Sequence, residues 1–128
     1  MNQILVVDDH DEFRSIVNDL LHVLQPNATI LNASNGAEGL TVAQSNHPDL
    51  ILTDLQMPVM DGYELAMALR QDAALQNVPL LIMTSARDAG PTLIRLNQVC
   101  HGVLKKPFSL DDLETVLKQC CNETISGE

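Results

Sequence analysis

Five short apolar runs, each followed by a stretch with helical spacing, constrain this chain more tightly than anything else in it. Ile4-Leu5-Val6-Val7 shows no polar alternation, the pattern of a central strand covered on both faces. Phe13, Ile16, Val17, Leu20 and Leu24 then recur at helical spacing, and Pro26-Asn27 closes that helix. Residues 28–33 read as a shorter, more polar strand suited to a sheet edge, and Ser34-Asn35-Gly36 offers caps for a helix through Gln44 that carries Leu40 and Ala43. His47-Pro48 breaks the chain before a second buried-type strand, Asp49-Leu50-Ile51-Leu52-Thr53-Asp54. The stretch Met57-Pro58-Val59-Met60-Asp61-Gly62 is a loop by its proline and glycine, and Tyr63 to Gln71 follows as a helix carrying Leu65, Ala68 and Leu69. Val78 to Met83 is the fourth strand, ending at Thr84-Ser85, and Gly90-Pro91 starts the next helix late. Gly102 to Lys105 is the fifth strand. Ser109 caps a last helix through Leu113, Val116 and Leu117, with Asp112 at the capping-box position, and a frayed polar tail begins at Cys121.

Parallel strands need crossovers, and crossovers are right-handed. A βα unit repeated five times therefore implies an α/β fold, a single doubly wound five-stranded parallel sheet with helices on both faces. The length of 128 residues suits one domain, and a chain of this size buries roughly two-thirds of its unfolded surface without help from a disulfide or structural metal. Cys100, Cys120 and Cys121 are odd in number and lack CxxC spacing, so they read as ordinary thiols. His10, His22, His47 and His101 share no element and no ligand spacing, and receive no ligand role. Seven Lys and Arg against 17 Asp and Glu give a net charge of -10, which argues against a direct nucleic-acid partner. No run approaches the ~20 apolar residues of a membrane span, and the first run is too short for a signal-peptide core. The expectation is a soluble, cytoplasmic protein with no membrane partner.

Open α/β sheets bind ligands beyond the carboxyl ends of their strands, near the switch in strand order. The residues delivered there are Asp8-Asp9, Asp54, Thr84 and Lys106, with nothing from the polar second strand. Any one Asp after a strand is ordinarily a helix cap or a solvated turn. Three carboxylates on one edge repel, however, and protonation or a cation must relieve them. All-oxygen ligands suit a hard ion, and a few carboxylates plus water fit Mg²⁺ better than Zn²⁺ or a calcium loop. Lys106 adds a point charge and Thr84 a hydroxyl donor, neither of which a bare metal site requires. Together they suit a phosphoryl group, whose transfer needs in-line geometry and charge neutralisation more than a protein acid or base. A carboxylate can itself be the nucleophile and form an acyl phosphate. Asp54, ending the central apolar strand, is the candidate, while Asp8 and Asp9 are placed to hold the metal.

On these residues the chain resembles the receiver domains of two-component response regulators. Ile4-Leu5-Val6-Val7-Asp8-Asp9 is similar to that family's opening strand and acidic pair, and Asp49 through Leu65 to its phosphoacceptor strand and loop. Pro79-Leu80-Leu81-Ile82-Met83-Thr84 resembles the fourth strand, and Lys106-Pro107-Phe108 the lysine–proline motif. The resemblance covers about Gln3 to Gln119. It implies a strand order of 2-1-3-4-5, a receiver domain over residues 1–121, and a polar tail over 122–128. It implies that Asp54 receives a phosphoryl group from a histidine kinase or histidine phosphotransfer protein. Asp8, Asp9, Asp54 and the backbone carbonyl of Gln56 would hold Mg²⁺, Lys106 would contact the phosphoryl group, and Thr84 would move to bond it, with Ser85 as the alternative hydroxyl. Pro107 would follow a cis peptide.

Two features depart from the family pattern. Val103 stands where an aromatic switch residue is usual, and a β-branched side chain has few rotamers with which to follow Thr84. Gly90-Pro91 would shorten or re-angle the neighbouring helix. No DNA-binding or enzymatic output is visible after Cys121, so a free-standing regulator and a receiver cut from a larger protein both stay open; the expected partner downstream is a protein. Two other readings stay open: a receiver-like binding module independent of phosphorylation, and a phosphatase using an aspartate nucleophile. The second needs an acid–base Asp two residues after Asp54, where this chain has Gln56.

Overall fold

The computed structural model describes residues 1–85, 95 and 98–125. Strands β1 (Gln3–Val7), β2 (Thr29–Ala33), β3 (Leu50–Asp54), β4 (Leu80–Thr84) and β5 (Gly102–Lys105) form one sheet. Every neighbouring pair is parallel and the order is β2-β1-β3-β4-β5, as the alternation and the resemblance imply. Helices α1 (Asp11–Leu24), α2 (Gly36–Asn46), α3 (Gly62–Arg70) and α4 (Leu110–Ile125) complete the elements among the described residues. The turn at Gly90-Pro91 and the helix expected after it lie outside them.

Period-two alternation sorts the strand residues into two cores. Ile4, Val6, Leu50, Leu52, Leu81 and Met83 face one layer, packed with Val17 and Leu21 of α1 and Leu113 and Leu117 of α4. Leu5, Val7, Ile51, Leu80 and Ile82 face the other, packed with Ala43 of α2 and Leu65, Ala66 and Leu69 of α3. β3 and β4 are buried along their whole length, whereas β2 and β5, at the edges, are partly open. The polar strand thus does lie at an edge, and the apolar runs are central.

Local chemistry sets the ends. Asn35 caps α2 by accepting from the Glu38 N–H at 2.8 Å. Asp61 and Glu64 form a reciprocal capping box on α3, and Ser109 with Asp112 forms another before α4, as the spacing predicts. α2 continues past Gln44 to Asn46 and stops where His47 turns left-handed (φ 52°) ahead of Pro48. β4 begins at Leu80 rather than Val78, because Val78 N–H is spent in a turn to Leu75 O. α4 runs through Ile125, so residues 121–125 are helical rather than a frayed tail; no Gly or Pro intervenes to stop them. On α1 the buried residues are Val17 and Leu21, and Ile16 is 53% exposed. On α3, Ala66 rather than Ala68 joins the core.

Two contacts tie this framework to the strand ends. Gly62 donates its N–H to Leu55 O at 2.7 Å, and a Cβ there would collide with the carbonyl of Asp54. Gly62→Ala should therefore lower stability by about 1–3 kcal/mol, the usual cost of overpacking, read as a shift in the urea midpoint. At the opposite edge of the sheet, Arg70 donates to the carbonyls of Val99, Gln76 and Val78, and His101 accepts from Leu80 N–H at 3.1 Å. Burial first, and then the Arg70 charge, push the His101 pKa below its ordinary 6.5. Its neutral ring is the form that accepts, so its contribution is complete above pH 6.5 and is lost as pH falls through the lowered folded value. The urea midpoint should drop between pH 7 and pH 5 more steeply in wild type than in His101→Gln; parallel profiles would remove the assignment.

Candidate functional site

The carboxyl ends of β1, β3 and β5 bring together residues that are far apart in sequence. Asp8 follows β1 and is fully buried, Asp54 ends β3 with 6% exposure, and Lys106 follows β5. Lys106 Nζ lies 2.9 Å from Asp8 Oδ2 and 3.3 Å from Asp54 Oδ1. Asp54 Oδ1 also accepts from Leu55 N–H at 2.9 Å. Burial raises the Asp54 pKa above 3.8 and Asp8 adds to the shift, while Lys106 and the Leu55 N–H oppose it. The Lys106 ammonium lies over an aromatic ring that the sequence reading does not pair with it. It stands 4.3 Å from the Phe13 ring centroid, and Phe13 packs edge-on against Phe108 at 5.6 Å. The spacing signal for this was the apolar position Phe13 in the first turn of α1; its partner became visible only in three dimensions.

Asp9 is half-buried beside this pair, and its Oδ1 is enclosed without a hydrogen bond. One ligand atom from each of Asp8, Asp9, His10 and Asp54 falls within a common span of 4.8 Å. Acidic oxygens at this spacing fit a divalent cation, and the unbonded Asp9 oxygen is a ready ligand for one. The sequence reading gives His10 no ligand role; in the fold its ring, next in sequence to the acidic pair, lies 3.2 Å from Asp9 Oδ1.

A cleft of about 560 Å³ opens over Asp54 between His10, Gln56, Ser85 and Lys106. Thr84 ends β4 at 4% exposure, with its carbonyl accepting from Lys106 N–H at 2.7 Å, while Ser85 lines the cleft wall. The Lys106–Pro107 peptide is cis. Val103 pairs with Ile82 on half-buried β5 and borders a second groove with Val116 of α4. Beyond Gln56, Val59 is 81% exposed with φ 70°, a left-handed conformation that costs a β-branched residue about 1–2 kcal/mol. It lets Met60 O turn back to accept from Gly36 N–H at 3.0 Å, closing the loop against α2.

The chain belongs to the response regulator receiver domain family, whose pattern matches residues 4–118. It is 31% identical over 128 residues to the probable transcriptional regulator ycf27 of Cyanophora paradoxa, covering 97% of this chain and 52% of that protein. It is 33% identical to the autoinducer 1 sensor kinase/phosphatase LuxN of Vibrio harveyi, covering 97% of this chain and 14% of that protein. The chain thus spans about half the length, or much less, of these relatives. Among solved structures it is similar to the chemotaxis response regulator CheY4 of Vibrio cholerae, with 29% identity, a TM-score of 0.82, and coverage of 94% of this chain and 98% of that one. No helix among the described residues is long and apolar enough to cross a membrane.

Lys106 balances two carboxylates that are otherwise forced together, so the two sides of the balance should respond oppositely. Lys106→Met should lower stability in metal-free buffer by about 1–3 kcal/mol, the cost of leaving buried charge unsatisfied. Asp54→Asn should raise the melting temperature, because it removes a carboxylate whose ionised form the fold disfavours. A fall in both melting temperatures would contradict this electrostatic account.

Proposed function

We propose that this chain is the phosphoacceptor of a two-component phosphorelay, taking a phosphoryl group from a histidine kinase or histidine phosphotransfer protein onto Asp54. The observation that supports it best is Lys106 Nζ held between Asp8 and Asp54 in an open cleft at the strand ends. Asp54 Oδ1 is held by Lys106 and the Leu55 N–H, and we assign the attack on phosphorus to the other oxygen. The new O–P bond forms as the donor P–N bond breaks; the electron pair stays with the donor histidine, which takes up a proton. Lys106 then faces an oxygen of the acyl phosphate and offsets its charge. Asp8, Asp9, Asp54 and the Gln56 carbonyl are the groups that would hold Mg²⁺, which supplies further neutralisation of the transferring oxygens.

Thr84 is the hydroxyl assigned to the phosphoryl group, with Ser85 at the cleft wall as the alternative. Val103 is too short and too stiff to follow it as an aromatic ring would, so it should keep one rotamer. The protein is a signalling domain that turns over no separate substrate, acts in the cytoplasm, and passes its state to a downstream protein rather than to nucleic acid or membrane. A phosphatase reading would require an acid–base carboxylate where Gln56 stands.

Acetyl phosphate or a phosphorylated kinase should label wild type and leave Asp54→Asn unlabelled. Labelling of that variant at wild-type level would refute the nucleophile, and absence of labelling in wild type under every donor would favour the phosphorylation-independent reading. Mg²⁺ at about 100 times its dissociation constant should stabilise the fold by about 2.7 kcal/mol. The same shift should persist in Lys106→Ala, read by thermal melts with and without the ion.

A further inference from the structure

We propose that Arg14 is a positioning residue of the cation site: its guanidinium holds the Asp8–Asp9 peptide in the orientation that sets the Asp9 carboxylate beside Asp8 and Asp54. The inference rests on the cation site of the reading above and adds to it a residue outside the acidic cluster.

Every polar group of Asp8 is occupied. Its N–H donates to Ala33 O at 3.1 Å, its Oδ1 accepts from His10 N–H at 2.9 Å, and its Oδ2 accepts from Lys106 Nζ at 2.9 Å. Its carbonyl accepts from the Arg14 guanidinium at 2.6 Å. Asp9 is held differently, because its Oδ1 is enclosed and accepts no hydrogen bond. With no bond on that oxygen to direct it, its placement follows from the backbone ahead of it. A peptide is planar, so fixing the carbonyl of Asp8 also fixes the direction in which the chain enters Asp9. Arg14 thus acts on Asp9 through a main-chain group, and on the cation site through Asp9.

The guanidinium is itself held in place. Arg14 N–H donates to His10 O at 2.9 Å, and the second terminal nitrogen of its side chain donates to Asp11 Oδ1 at 2.7 Å. One planar fork therefore ties the acidic turn to the start of α1, and only 18% of the side chain is exposed. A lysine could carry the charge but not the fork. Charge and orientation make opposite demands here, since a positive group near a cation site repels the ion while a fixed ligand attracts it. Charge is the weaker demand: Asp11 offsets the guanidinium at contact distance, and Glu38 lines the same small pocket as Arg14.

Calorimetric titration of the full chain with Mg²⁺, in wild type, Arg14→Met and Arg14→Lys, tests this. Arg14→Met should weaken Mg²⁺ by about tenfold, the scale on which groups that orient a metal's ligands alter its affinity, whereas a charge effect alone would tighten it. Arg14→Lys should recover part of the loss. With acetyl phosphate as donor, labelling of Arg14→Met should need about tenfold more Mg²⁺ for half its maximum, with a smaller change in the plateau rate. A lower melting temperature with unchanged Mg²⁺ affinity would mark Arg14 as merely structural and overturn the proposal, and so would tighter binding. If Arg14→Met does not fold, Arg14→Lys decides alone: affinity below wild type supports the role, and wild-type affinity overturns it. Equal affinity in all three chains would remove Arg14 and leave the receiver reading intact, whereas a wild type that binds no Mg²⁺ would overturn the cation site and the role of Arg14 together.

Discussion

The ammonium of Lys106, set between Asp8 and Asp54, is the interaction on which the carboxyl edge of this sheet depends. A fully buried carboxylate such as Asp8 is tolerated only with a partner, and a second one at the end of the adjacent strand makes the requirement sharper. The partner comes from the far side of the sheet: β5 is separated from β3 by β4, and a lysine stem is long enough to bridge that distance. Order β2-β1-β3-β4-β5 is what makes the bridge possible, since it sets the two acidic strands side by side at the centre. The Phe13 ring from the first turn of α1 then faces the ammonium, and Phe108 from the segment before α4 packs edge-on against Phe13. Helices on one layer thus fix a charge that serves the strand ends.

That arrangement is electrostatically unfavourable in part, as the raised Asp54 pKa records, and the remainder of the fold offsets it. The strands feeding the site include the two fully buried ones, β3 and β4, and β1, buried beyond its first residue, so the backbone under Asp8 and Asp54 is held by both cores. The loop after Asp54 is fixed both by packing, with Leu55 in the second core and Met57 and Met60 against it, and by hydrogen bonds: Gly62 N–H to Leu55 O, Gly36 N–H to Met60 O, and the Asp61–Glu64 capping box. Val59, left-handed and exposed, is where that closure stores strain. The pattern is one of a rigid central base carrying a loop and a charge cluster that local preference alone would not select.

How much of this was legible in the sequence depended on whether the signal was periodic or spatial. Uninterrupted apolar runs marked β1, β3 and β4, and polarity placed β2 at an edge, because strand burial on two faces leaves no room for alternation. Capping chemistry placed Asn35 and Ser109. On α1, however, Leu20 and Leu21 are adjacent and both apolar, so periodicity alone could not choose between a stripe through Ile16 and one through Val17 and Leu21; the sheet beneath made the choice. The end of α4 was missed because Asn122, Glu123 and Thr124 are polar without being helix-stopping. The candidate carboxylates and Lys106 were found by asking what each strand delivers to one edge. The Phe13 ring beside Lys106 and the Arg70 contacts to Val99 and His101 were not, because each depends on partners that only the folded chain brings near.

The same geometry says where a change of charge at Asp54 would be felt. An anion there would compete with Asp8 for Lys106, and Lys106 is joined through its N–H to the carbonyl of Thr84. Displacement of the lysine therefore acts on the end of β4 and on β5 before it acts on the packed β1 and β3. β5 is the element best able to respond, being a half-open edge strand that leans on α4. A shift in population can be no larger than the difference in contact energy between the two arrangements. Here that difference resides in one ammonium, its two carboxylates and the Phe13 ring beside it. Val103, facing the groove toward Val116, offers little side-chain volume with which to amplify it. Backbone movement of β5 against α4, rather than the swing of a large side chain, is the response this constraint favours.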